Sequence, residues 1–177
     1  MLKRVMGTSL AVVAFGGLVV AQPQAPKPGP EHNALGYFVG AWKSEGEMKP
    51  GPLGPGGKTT GTDSCEWFKG SFQVVCRGEG TGPMGPMTSL GVLAYSAGDK
   101  AYTYYGIDSM GTTELAHGQK KDNTWTYTAT TTIEGKQFQS RYTIVETSPT
   151  TYTFKWETSS DKKTWSVLME GKSTKGT

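Results

Sequence analysis

The chain has 177 residues, with 18 Lys or Arg, 15 Asp or Glu, a formal charge of +3, 25 Gly, 10 Pro and only 2 His. That length suits one domain rather than a multidomain machine, and two histidines leave little for histidine-based metal or acid–base chemistry. The charge is nearly balanced and no basic face is clustered, which argues against a nucleic-acid partner.

The first predicted element is a targeting segment. Lys3 and Arg4 precede an apolar run from Leu10 to Ala21, which ends Val19-Val20-Ala21 before Gln22. A positive start, a short hydrophobic stretch and compact residues at the cleavage point describe a secretory signal peptide over residues 1–21. As a helix the run would reach about 18 Å, short of the roughly 30 Å hydrocarbon core, so no transmembrane anchor is expected in the mature chain. Cleavage removes Lys3 and Arg4 and no acid, leaving a nearly neutral protein destined for the periplasm or the exterior. Residues 22–34 read as a Pro-rich flexible leader. A short helix is predicted over residues 31–38, with Asn33 as its cap and Leu35, Phe38 and Val39 on one side.

From Trp42 onward the pattern has period 2. Strands are predicted over residues 41–49, 59–69, 72–79, 88–95, 100–107, 112–119, 124–132, 136–147, 151–158 and 164–172. Trp125, Tyr127 and Ala129 alternate with Thr124, Thr126, Thr128 and Thr130. Tyr152, Phe154 and Trp156 alternate with Thr151, Thr153 and Lys155. Such alternation marks half-buried antiparallel strands, and Thr is a good β-former that tolerates water. Most connections are short and turn-like, as at 96–99, 108–111, 120–123, 134–135 and 159–163, with no room for a crossover helix. The fold class expected is all-β: a closed, mostly antiparallel up-and-down barrel of about ten strands over residues 35–172, with 173–177 as a tail. A two-sheet sandwich is the competing architecture. Aliphatic residues are sparse, and 5 Trp and 8 Tyr supply core mass in their place. Two longer loops, 50–57 and 80–87, are rich in Gly and Pro and read as rim loops; neither has the lysine and following helix of a phosphate loop.

Cys65 and Cys76 flank a hairpin. A two-residue Gly70-Ser71 turn of type II′ places them directly opposite each other, whereas a Lys69-Gly70 turn would set Cys76 against Asp63. The first register, with export, favours a structural disulfide. A catalytic thiol is disfavoured, because no histidine is near in sequence and the pair lacks Cys-x-x-Cys spacing.

Catalytic residues are not identified. His32 beside the leader reads as exposed and inert, and His117 shares parity with Leu115. Two histidines cannot complete a facial triad, so no metal or other cofactor is expected. No nucleophile-elbow motif is present. Glu66, Glu79, Glu114, Glu146, Glu157 and Glu170 could supply paired carboxylates, but sequence does not measure their separations. The aromatic set is the better lead. Trp125, Tyr127, Phe154, Trp156 and Trp165, with Arg141 or Tyr142 as polar contacts, are candidates to line a cavity for a small apolar or amphipathic ligand. The same aromatics could instead fill the interior of a structural or protein-interaction domain, and an enzyme using barrel carboxylates is a further alternative.

Four segments carry a resemblance: Leu35-Gly36-Tyr37-Phe38-Val39-Gly40-Ala41-Trp42; the hairpin Trp67-Phe68-Lys69-Gly70-Ser71-Phe72; Leu90-Gly91-Val92-Leu93-Ala94-Tyr95 with Tyr102 and Asp108-Ser109-Met110-Gly111; and Ser160-Asp161-Lys162-Lys163-Thr164-Trp165. In this order they resemble a bacterial domain family of unknown function in the lipocalin-like, or calycin, superfamily. The resemblance implies a calycin-type barrel and no particular reaction. Related barrels include lipid carriers and haem-binding nitrobindins. The nitrobindin-like histidine near the chain's end has no counterpart after His117.

Overall fold

The computed structural model describes residues 26–51, 54–133 and 135–176; the expected signal peptide and the start of the leader lie outside them. A short helix α1 (Pro30–Ala34) runs into a 3₁₀ turn (Leu35–Phe38). Ten strands follow: β1 (Gly40–Met48), β2 (Gly57–Trp67), β3 (Gln73–Gly82), β4 (Gly85–Ser96), β5 (Ala101–Asp108), β6 (Thr113–Lys121), β7 (Thr124–Ile133), β8 (Lys136–Ser148), β9 (Thr151–Ser159) and β10 (Ser166–Lys175).

Every strand pairs antiparallel with its sequence neighbours, and β1 pairs with β10 to close a single barrel. The closed order excludes the sandwich. β10 extends into the expected tail, setting Lys175 opposite Trp42. The loop expected at 80–87 is mostly strand: Thr81 pairs with Pro86 and Gly82 with Gly85. Gly85 takes a φ of 94°, a conformation open to glycine at little steric cost, so the chain reverses at Pro83-Met84.

Register decides which side chains enter the barrel. Cys65 opposes Cys76, which opposes Gly91, which opposes Gly106; one step along, Asp63, Gly78, Ser89 and Asp108 form the next inward row. On β7 to β9 the inward rows include Trp125 with Ile144 and Phe154, and Tyr127 with Tyr142 and Trp156. The outer positions of β1, including Lys43, Glu45 and Glu47, are charged and exposed.

One end is plugged. Pro30 opens α1, where its missing N–H costs nothing, and Gly29, not Asn33, is the cap residue. His32 is half-buried rather than exposed: its Nδ1 accepts the Gly29 N–H at 3.1 Å, and its ring meets Phe72 and Tyr95 edge-on. Leu35 and Phe38 are buried against Trp42, Trp125 and Tyr102. Trp42 Nε1 donates to the Phe38 carbonyl at 2.7 Å, and Tyr102 Oη donates to that of Glu31 at 3.2 Å. Tyr37 Oη donates to the carbonyls of Ser148 and Thr151, tying the plug to the β8–β9 turn.

Beyond the plug, rings lie on inward glycines. A Cβ at Gly91 or at Gly106 would stand 2.7 Å from the Tyr104 ring, and one at Gly171 would stand 2.5 Å from Phe154. Tyr104 and Phe154 therefore occupy interior volume that neighbouring side chains would otherwise take. This close approach accounts for glycine at strand positions where it otherwise costs stability.

Candidate ligand cavity

A cavity of about 200 Å³ opens on the inner wall of β8, β9 and β10. Tyr142, Ile144, Tyr152, Phe154, Trp156 and Met169 line it with their inward side chains, while Thr143 and Lys155 complete the lining from the strands between. Trp156 stacks on Tyr142, their centroids 5.4 Å apart and planes 18° apart, and Tyr152 meets Phe154 edge-on at 6.5 Å. Tyr152 also contacts Trp42 at 4.8 Å, so the cavity sits directly above the plug. A larger concavity of about 740 Å³ crosses β1 to β5; exposed residues such as Lys43, Thr62, Arg77, Glu79 and Ile107 line it, together with the inward positions Trp42, Asp63, Gly78, Ser89 and Asp108. The smaller inner cavity is the less open of the two and the more aromatic.

Polar groups converge beside the cavity. Tyr142 Oη donates to Glu114 Oε1 at 3.1 Å, Thr131 Oγ1 donates to the same oxygen at 3.4 Å, and Trp156 Nε1 donates to Ser140 Oγ at 3.4 Å. Burial raises the Glu114 carboxyl above its ordinary value, and the hydrogen bonds from Tyr142 and Thr131 offset part of that rise. Asp63 is inward and also pushed up by burial. A Cβ on Gly78 would lie 2.6 Å from both Asp63 Oδ1 and Ser89 Oγ, so these oxygens bracket the glycine. Burial, with Glu114, Asp63 and Asp108 adding charge, pushes Tyr104 up to about 12. Burial and the Glu114 carboxylate raise Tyr142; burial and, more weakly, Asp63 raise Tyr152. All three phenols therefore stay protonated at neutral pH.

The structure separates the sequence-derived candidates into three groups. Tyr142, Phe154 and Trp156 meet at the cavity. Trp125 and Tyr127 are 0% and 3% exposed and belong to the core above the plug. Arg141 and Trp165 stand on the outer face, because Arg141 has the opposite parity to Tyr142 on β8. There the guanidinium pairs with Glu157 at 2.9 Å and stacks 4.1 Å from the Trp165 ring centroid. Neither reaches the interior. Burial opposes ionisation of Glu157, but hydrogen bonds and charge from Arg141 and Lys155 outweigh it and lower its pKa.

Among the six glutamates named as carboxylate candidates, Glu114 and Glu146 turn inward. Glu146 is engaged near the plug by Trp125 Nε1 at 2.6 Å and Lys120 Nζ at 2.9 Å. Glu66 pairs with Arg77 on the outside. His117 is exposed on the outer wall, with Leu115 beside it in parity. No group of three or more His, Cys, Asp or Glu among the described residues is arranged to hold a metal. Sequence reasoning missed Asp63, Tyr104, Tyr152, Ile144 and Met169; parity with Cys65 marks Asp63 as inward, and parity with Trp156 marks Tyr152.

Cys65 and Cys76 are disulfide-bonded and directly opposed, the register expected from the hairpin. The turn itself differs. Ser71 N–H bonds to the Phe68 carbonyl, and Gly70 and Ser71 take φ of 101° and 60°, so the reversal is a turn over residues 68–71 rather than a two-residue type II′ loop.

These features define a ten-stranded antiparallel barrel with a plugged end and an aromatic inner cavity. The chain belongs to the DUF1579 family of proteins of unknown function, whose profile matches residues 27–175. It is similar in fold to the crystal structure of Rv2717c from M. tuberculosis, with a TM-score of 0.62 and 11% identity, over 84% of this chain and 99% of that one. No curated protein matches.

Proposed function

We propose that this is an exported binding protein that holds a small apolar or amphipathic molecule inside the barrel. The observation that carries the reading is the aromatic cavity of about 200 Å³ on the β8–β10 wall, which is several times the ~30 Å³ share of one water. That volume suits a compact molecule or a head group better than a long acyl chain. The resemblance to lipocalin-like barrels supports an interior site, and the signal-peptide pattern of residues 1–21 supports export. Native mass spectrometry of gently purified protein, with extraction of any retained molecule, tests it. The expected result is a bound species whose occupancy falls in a folded Trp156→Ala variant; occupancy unchanged by that substitution would move the site elsewhere.

A second reading, a protein-interaction domain, draws on the outer face. Tyr105, Ile107 and Leu115 are 47%, 40% and 56% exposed on adjacent strands. Concentration-dependent self-association or partner capture that is lost in Tyr105→Ser/Leu115→Ser would favour it.

A further inference from the structure

The inner cavity has the chemistry of an aromatic cage. Four of its walls are the rings of Tyr142, Tyr152, Phe154 and Trp156, and an electron-rich ring face attracts a desolvated cation. The barrel already uses this contact nearer its plug. Lys175 Nζ lies 4.8 Å from the Trp42 ring centroid, and Lys120 Nζ lies 4.9 Å from that of Trp125. Among the described residues, no side-chain cation lies over the rings of Tyr142, Tyr152, Phe154 or Trp156. Lys155, the one basic residue in the lining, pairs with Glu157 at 3.3 Å on the outer face.

The nearest cations are already engaged: Lys120 pairs with Glu146, Lys155 with Glu157, and Lys175 Nζ donates to the Tyr37 carbonyl. Glu114 bonds to Tyr142, and Asp63 stands opposite Trp42, whose ring meets Tyr152 at 4.8 Å, so carboxylates lie near two tyrosines of the cavity. Among the described residues, neither carboxylate has a Lys or Arg partner. An apolar neutral ligand would leave those charges uncompensated. A cation held between the rings would balance them at short range, in a setting where water screens little.

We propose that the cavity takes a small organic cation, a methylated or quaternary ammonium, held against the rings of Tyr142, Tyr152, Phe154 and Trp156. This rests on the reading of the barrel as a binder and names the ligand class of that same site. Direct recognition of the positive charge requires that a neutral molecule of the same shape bind less well.

The test uses choline and its neutral carbon isostere, 3,3-dimethylbutan-1-ol, titrated separately against the full mature protein and followed by tryptophan fluorescence and calorimetry. The expected result is that choline binds roughly tenfold or more tightly than the alcohol. Glu114→Gln should shrink that preference, and Trp156→Leu should weaken both. Equal or tighter binding of the alcohol would overturn the cation proposal and leave the apolar-ligand reading standing. Failure of both probes to bind would overturn the proposal and count against the binding reading as well. Should Glu114→Gln not fold, Tyr142→Phe removes the phenol that links the cage to the carboxylate, and the comparison in the unsubstituted protein decides by itself.

Discussion

The plugged end and the β8–β10 wall are built from the same residue types, yet they are packed to opposite effect. At the plug, Leu35, Phe38, Trp42, Tyr102 and Trp125 interlock, and both indoles donate to fixed acceptors, the Phe38 carbonyl and Glu146. On the wall above, Tyr142, Tyr152, Phe154 and Trp156 border a space they do not fill. Aromatic content therefore does not separate a core from a site; whether neighbouring elements close over the rings does. α1 and its 3₁₀ turn close one end, and no element among the described residues closes over the cavity in that way.

The sharpest break between the two regions should come from truncating one ring in each. Trp125→Ala should cost about 3–5 kcal/mol in urea unfolding, the usual price of deleting a fully buried large ring. Trp156→Ala should cost clearly less, because one side of its ring already borders empty space. Equal losses would mean that the wall is as tightly packed as the plug.

The disulfide ties β2 to β3 close to the plug. Reduction, or the paired Cys65→Ser/Cys76→Ser change, should lower stability by about 2–4 kcal/mol, read as a shift in urea midpoint with and without reductant. Ligand titrations at the wall should keep their affinity in the folded, reduced protein. A loss of affinity there would show that the two regions are not separable.

The strand count, the antiparallel order and the cysteine register were legible in the sequence, because a period of two with short turns leaves few ways to pair neighbours. Closure was legible for the same reason. The candidate site was legible only in part. Parity puts Tyr142 and Trp156 on one face and Arg141 on the other, but it does not say that Trp165, beyond the strand end, folds back over Arg141 on the outside. Nor does it say that Trp125 meets Phe38, since that contact depends on a plug contributed by a segment far away in the chain. The inward glycines look like weak points in sequence, and their role as beds for Tyr104 and Phe154 appears only when the wall curves round.

A smaller effect concerns the buried carboxylate of Asp63. Its folded pKa lies above the unfolded one, so the native state holds the proton more tightly, and stability from this source falls as pH rises through the folded value. Asp63→Asn should therefore be more stable than the unsubstituted protein near pH 7, by less than about 2 kcal/mol. The advantage should shrink as pH falls toward the ordinary carboxylate range near pH 4. Thermal unfolding of both proteins across that range checks the sign; a destabilised Asn variant at pH 7 would mean that the charge has a compensating partner.

The smallest change sits at the boundary between the regions. Tyr127 Oη is buried with no hydrogen-bond partner among the described residues, and leaving a hydroxyl unpaired costs free energy. Tyr127→Phe should be neutral or stabilising by about 1 kcal/mol. A clear loss of stability in calorimetry would indicate that this hydroxyl is bonded to an internal water or ligand.

The contrast between a closed core and an open wall is tested most directly by methyl-resolved NMR during titration with choline or 3,3-dimethylbutan-1-ol. Ile144 and Met169 report on the cavity, Leu35 and Val74 on the plugged end, and Leu90, Ile107 and Leu115 on the outer face. The account predicts saturable shifts centred on Ile144 and Met169, with Leu35 and Val74 nearly still. Shifts centred on the outer-face methyls, with Ile144 and Met169 unmoved, would contradict it.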